Sequence, residues 1–348
     1  PGGGTLSLAG AAGPIDQHDA SATPVNAKLD LSHFDPVAAG LVDPSQGLSM
    51  LAVVSAQIAS DGKMLAANGS IDASRLKLSA NGSPAPHPVQ IRFSIHDNLV
   101  ARTGTIDSLN LGTGAVGVNV TGSYSIAGPG ATPMTLDLQV AAPKVPVDQI
   151  EALLPAAGLR LPSGSSLSGG VFTANLKVTG PANALTIAGP VEIDGTRLAG
   201  FDLGSKIEGL KPVSGSQGGT EIQTVRAEVT SSPAGIAIQN LYTSVPALGT
   251  ATGSGTVSPA GNLNFHILAR LNPGAGVAGQ ALSGLSAASG SLGSLVSAVA
   301  AKGIPVDITG TTSNPQIRAD MTGLLRQNAT GLLKSTNPGT LLNKFLPH

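Results

Sequence analysis

Apolar and polar residues alternate one for one along much of this chain. Val116, Val118 and Val120 alternate with Gly117 and Asn119, and Leu136, Leu138 and Val140 alternate with Asp137 and Gln139. Leu176 and Val178 flank Lys177, Leu185 and Ile187 flank Thr186, and Ile236 and Ile238 flank Ala237. Leu263, Phe265 and Ile267 alternate with Asn264 and His266. A two-residue period puts successive side chains on opposite faces of a strand, one face apolar and one polar. Asp61-Gly62, Asn68-Gly69, Asn81-Gly82 and Asp194-Gly195 punctuate these runs. Such dipeptides tolerate the positive φ of tight hairpins, so the pattern predicts consecutive strands paired antiparallel.

A looser unit recurs from Gly69, Gly104, Gly189 and Gly255, each followed two residues later by Ile or Val. It predicts a turn and then an apolar strand ending at Leu78, Leu111, Leu198 and Leu263 respectively. The spacing is irregular, which suits a repetitive hairpin sheet better than a strict solenoid.

Three segments read as helical. Residues 147–157 follow Pro146 and carry Asp148 and Glu151 in the first turn, where the helix dipole favours acids. Residues 277–302 carry Leu282, Leu285, Leu292, Leu295, Val296 and Val299 near a 3.6-residue period. The tail, 321–348, carries Leu324, Leu325, Leu332, Leu333, Leu341, Leu342 and Phe345, interrupted near Pro338. No charged residue occurs over 271–301, long enough to span a bilayer, but Gly, Ser and Gln interrupt it throughout. The reading is a helix covering one end of an apolar sheet.

The expected fold is mainly β: an elongated, curved antiparallel β-groove of repeated hairpins, with a few short helices near the middle and the C-terminus. Residues 1–160 form its first part, ending in the helix at 147–157. Residues 161–320 form its second part, with the helical segment 277–302, and residues 321–348 form an amphipathic tail.

Composition narrows the function. Of 348 residues only 11% are charged and the net charge is −1, against about a quarter charged in an average domain. No cluster of Lys and Arg is present to displace counterions from a nucleic acid. Two Tyr, six Phe and no Trp supply few platforms for stacking bases or sugar rings. No cysteine is present, which excludes disulfides, thiol catalysis and Cys-ligated metals.

Candidate chemistry is sparse. His18, His33, His87, His96, His266 and His348 show no metal-ligand spacing, and the alternation around His266 points it away from the apolar face. Gly-x-Gly-x-x-Gly occurs at Gly112, Gly114 and Gly117 and again at Gly274, Gly276 and Gly279. The second instance lacks an acidic residue about 20 positions on, since Asp307 lies too far along, and glycine is abundant enough for chance matches. Nucleophile elbows and phosphate loops are absent from the sequence. Asp194 and Asp202 read as solvated turn carboxylates. The expectation is a protein that is not an enzyme, with no cofactor, no metal and no nucleic-acid partner.

Residues 303–320 (GIPVDITGTTSNPQIRAD) resemble the closing segment of AsmA-like proteins, with Ala319 where proline is usual. Residues 142–155 (APKVPVDQIEALLP), 170–180 (GVFTANLKVTG) with 185–189 (LTIAG), and 4–14 (GTLSLAGAAGP) are similar to that family in the same order. The resemblance covers nearly the whole chain. It implies a bacterial periplasmic protein behind an N-terminal inner-membrane anchor lying upstream of residue 1. It also implies a kinship with bridge-like lipid transfer proteins and a role in phospholipid delivery to the outer membrane. The partners it implies are phospholipid acyl chains, the inner membrane and outer-membrane proteins.

The residues expected to line a lipid trough are Val116, Val118, Val120, Leu136, Leu138, Leu176, Val178, Leu185, Ile187, Leu263, Phe265 and Ile267. The competing expectation is a structural or adhesin-like β-sandwich or assembly module of the cell envelope, which the same Gly/Ser/Thr-rich strands would serve.

Overall fold

The computed structural model describes residues 4–15, 18, 22–44, 47–112, 117–126, 134–202, 207–208, 218–271 and 303–319. Among them, β1 (Thr5–Ala12), β2 (Val25–Phe34), β3 (Leu48–Ser60), β4 (Met64–Leu78), β5 (Val89–Asn98), β6 (Thr103–Gly112), β7 (Val118–Ser125) and β8 (Thr135–Pro146) form an antiparallel meander. Each of these strands bonds the next. The chain then makes the short helix α1 (Val147–Glu151) and the three-residue strand β9 (Ser166–Ser168).

The meander resumes where β10 (Val171–Pro181) pairs with β8 and with β11 (Thr186–Ala199). A two-residue strand, β12 (Ile207–Glu208), leaves this order. β13 (Gly219–Ser232) pairs with β11, and β14 (Gly235–Val245), β15 (Gly249–Val257), β16 (Leu263–Leu271), β17 (Ile304–Thr311) and β18 (Asn314–Ala319) follow as hairpins. All eighteen strands belong to one sheet. The protein is thus a mainly β, curved antiparallel groove. At about 4.8 Å per strand its contour runs to roughly 80 Å.

The two outer strands end differently. β1 pairs with β2 alone among the described residues, whereas β18 also takes β12 in parallel, through Ile207 opposite Ile317 and Glu208 opposite Arg318.

Bulges recur along the sheet. Registers slip at His33 in β2, Arg75 in β4, Lys144 in β8 and Asn240 in β14, and each of these residues has positive φ, between 50° and 55°. A further slip at Asp107–Ser108 bends β6. One extra residue on a strand kinks it and increases its twist. Recurring along the meander, such kinks turn a flat ribbon into a trough.

The strand pairings correct the sequence reading. Asn68-Gly69 is not a turn but lies within β4, paired on one side with Gln57 and Ala56 and on the other with Ser94 and Phe93. Two long neighbouring strands outweigh a local turn preference. Asp194-Gly195 likewise lies within β11, where Gly195 (φ 69°) marks the change of partner from β10 to β9. Of the four recurring units, those from Gly69, Gly104 and Gly189 run as single bent strands; the unit from Gly255 contains a genuine turn. Asp61-Gly62 and Asn81-Gly82 fall between strands as expected, and Asp61 closes its turn by accepting from the backbone N–H groups of Lys63 and Met64.

The helix expected over 147–157 ends at Glu151 and continues as tight turns to Gly158. Pro155 has no N–H for the Glu151 carbonyl, and it disfavours helical backbone at Leu154. The expected helix 277–302 and the tail 321–348 lie outside the described residues. Among the described residues no helix is long and apolar enough to cross a membrane.

The segment after α1 holds the coil of the sheet together. Ala156 and Pro155 accept from the N–H groups of Leu78 and Ser83, at 2.9 and 2.8 Å, which ties it to the corner between β4 and β5. Ser163 N–H donates to Ser313 in the β17–β18 turn at 3.2 Å. Buried apolar side chains form three separate clusters instead of one continuous core. One joins Leu76, Ala85, Val89 and Ala156, a second Ala142, Val145 and Ala174, and a third Ile267, Val306 and Ile317.

Candidate functional site, the inner face of the sheet

Residues paired across an antiparallel ladder point to the same side, so the register traces faces across the whole sheet. One row starts at Leu8 and passes through Leu29, Ala56, Gly69, Phe93, Leu109, Val120, Val140 and Leu176. From Leu176 it steps to Gly189, whose missing Cβ would stand 3.2 Å from the Leu176 Cα. It then runs through Val229, Ile238, Gly255, Phe265, Ile308 and Ile317. Every residue in this row is apolar or glycine, from the first strand to the last.

A parallel row passes through Leu138, Val178, Ile187, Ser231, Ile236, Val257 and Leu263. Val118, Leu136 and Ile267 share this face, and Leu185 immediately precedes β11 on the same side. The structure therefore brings the described trough candidates onto one surface; Val116 lies outside the described residues.

Sequence reading missed Leu29, Ala56, Phe93, Leu109, Val229 and Ile308. The alternation Val89, Ile91, Phe93 and Ile95 was available in the sequence as a signal for β5. The inward glycines gave no such signal, because a glycine carries no side chain to assign to a face.

Side chains fill the glycine positions. A Cβ on Gly255 would collide with the ring of Phe265 at 2.3 Å, so the ring lies flat over that glycine. Gly104 sits in the same way beneath Tyr124, whose hydroxyl donates to Asp97 Oδ1 at 2.6 Å. Asp97 is one of the few charged residues that the register places on the inner side, with Arg197 and Glu221, which pair across β11 and β13. Burial, and then the Asp97 carboxylate, raise the Tyr124 hydroxyl above its ordinary ionisation range.

The opposite face is polar. It carries the pairs Lys28–Asp30 at 2.9 Å, Lys177–Asp137 at 3.4 Å, Arg226–Glu192 at 2.5 Å and His266–Asp307 at 2.7 Å, together with His96–Asp107. His266 thus lies away from the apolar face and is an ion-pair candidate on the outer surface. Asp194 accepts from the Thr224 hydroxyl at 2.9 Å. Lys28 and then Ser55 hold the Asp30 carboxyl below its usual range through hydrogen bonds. Among the described residues no three His, Asp or Glu side chains converge as a metal site would require.

The inner face is covered unevenly. Around α1, Ala142, Val145 and Ala174 are buried under Ile150, and Leu153 packs near Val89. At the β1 edge Leu6 and Leu8 are 65% and 64% exposed. Most of the apolar row between these extremes is only half-buried. A water-facing apolar strip of this kind can take up aliphatic surface along its length. No protein-family model, curated protein or solved structure matches this chain.

Proposed function

We propose that this chain is a non-enzymatic, periplasmic lipid-binding and lipid-transfer module. Its inner face shields phospholipid acyl chains on their way between the inner and outer bacterial membranes. The observation that carries this reading is the unbroken apolar row from Leu8 to Ile317, left half-open along most of its length.

Taking one CH₂ into water costs about 0.8 kcal/mol, so an acyl chain of roughly sixteen carbons faces a barrier above about 12 kcal/mol. A continuous apolar strip removes most of that barrier without binding the chain more tightly than a bilayer does. Headgroups stay in water beyond the rims, so specificity for them is not required along the trough. The small and branched lining side chains form a smooth wall, which suits chains of different length. The compartment, the upstream inner-membrane anchor and the outer-membrane partners rest on the resemblance to AsmA-like proteins.

Substituting Asp for Leu176, Ile187 or Phe265 places a charge in the strip at half-buried positions, where it can still reach water. Each variant should keep its β circular-dichroism spectrum and lose lipid that is cross-linked to, or co-purified with, the parent protein. Folded variants that carry undiminished lipid would sink the proposal. A lipid-free parent protein that scatters as a compact particle would favour the structural β-sandwich reading.

A further inference from the structure

Two cavities adjoin at α1 and share His87, Asp148 and Ala152 in their walls. One, of about 640 Å³, lies between α1 and the inner face and is lined by Val89, Leu111, Val118, Val145, Ile150 and Leu153. The other, of about 630 Å³, lies on the far side of α1 and is lined by Glu151 and Arg160 as well as by the shared Asp148 and His87. Both volumes fall within the ordinary range of small-molecule sites. The first is apolar and continuous with the trough; the second is charged and open to water. Among the described residues, the side chains of His87, Asp148, Glu151 and Arg160 have no hydrogen-bond or ion-pair partner.

We propose that these cavities together seat one phospholipid with a zwitterionic, amine-bearing headgroup. This inference rests on the lipid reading above and adds a discrete station to it. One acyl chain lies in the apolar cavity under α1. The headgroup crosses beside Ala152 into the charged cavity, its ammonium toward the carboxylates of Asp148 and Glu151 and its phosphate toward the Arg160 guanidinium. An anionic headgroup without an amine meets the same two carboxylates with nothing to offset them. The site is therefore selective, because here unpartnered charges of both signs border the apolar surface.

The test uses the full chain incubated with vesicles of equal parts phosphatidylethanolamine and phosphatidylglycerol, followed by native mass spectrometry. As activation energy rises, the parent protein should keep one phosphatidylethanolamine after other lipids are stripped. Ala152→Trp fills the passage between the cavities and should abolish that last retained lipid while leaving the weaker ones. Asp148→Asn combined with Glu151→Gln should still retain one lipid but lose about fivefold of the preference for phosphatidylethanolamine, the scale of an exposed charge pair. Equal retention of both lipids by the parent, or an unchanged last lipid in a folded Ala152→Trp variant, overturns this proposal alone. A parent protein that binds no lipid overturns the trough reading with it.

Discussion

The β1 edge and the neighbourhood of α1 present the same kind of surface in opposite circumstances. Leu6 and Leu8 on β1 and Val145 on β8 all come from apolar strand segments and all face inward. Yet the two leucines are about two-thirds exposed, while Val145 is 2% exposed. The difference lies in what stands opposite. Ile150 and the turns that follow α1 fold back over the middle of the sheet, and nothing among the described residues does so over β1. An apolar sheet face must be covered by something, and among the described residues α1 and the turns after it supply that cover at the centre.

That contrast can be broken at its strongest point first. Val145→Asp buries a charge with no partner at the covered site and should cost about 4 kcal/mol or prevent folding, as chemical denaturation would report. A loss below about 1 kcal/mol would show that α1 does not seal the surface.

Tyr124→Phe probes an intermediate region, a polar pair on a largely apolar face. Leaving Asp97 without its donor should lower stability by about 1 kcal/mol. Because the folded protein holds the Tyr124 proton more tightly than the unfolded chain does, its contribution is intact below about pH 10 and is lost as pH rises further. Melting temperatures across pH 9–12 should therefore fall more steeply for the parent than for Y124F, and parallel curves would contradict the assignment.

At the uncovered edge, Leu8→Asp should change stability by no more than about 0.5 kcal/mol, since the side chain already faces water. Its effect should be seen instead in reduced lipid cross-linking near β1. A large loss of stability would mean that the edge is covered in solution.

The smallest effect belongs to the outer face. Asp30→Asn removes a carboxylate whose folded ionisation is depressed, so any stability it contributes is present above about pH 4 and lost as the pH falls through its lowered folded value. Its exposure confines the consequence to a slight flattening of the acid limb in thermal melts, and an effect comparable to Y124F would mean that the outer face bears load after all.

Legibility followed physical cause. β8, β10 and β16 were readable because strict alternation identifies both the strand and its inward residues. β4 was not, since Asn68-Gly69 carries the chemistry of a turn and only the long partners β3 and β5 hold it extended. α1 was placed correctly at its start, where Pro146 and Asp148 act locally, and overextended at its end, where Pro155 stops it. The charged cavity was out of reach. Asp148 and Glu151 were visible as first-turn acids, but Arg160 and His87 join them only through the path of the segment after α1.

What the amino-acid sequence by itself determined was the kind of surface this protein makes: strands with one apolar and one polar face, joined mostly by short connections, with very few charges. Those properties are local, set by a two-residue period and by the backbone preferences of Gly, Asn, Asp and Pro. Tertiary structure alone decided that the strand faces align into one row from Leu8 to Ile317, because alignment depends on register and each bulge shifts register by a residue. It also decided where that row is covered, because cover comes from segments distant in the chain, held by bonds such as Leu78 to Ala156 and Ser163 to Ser313.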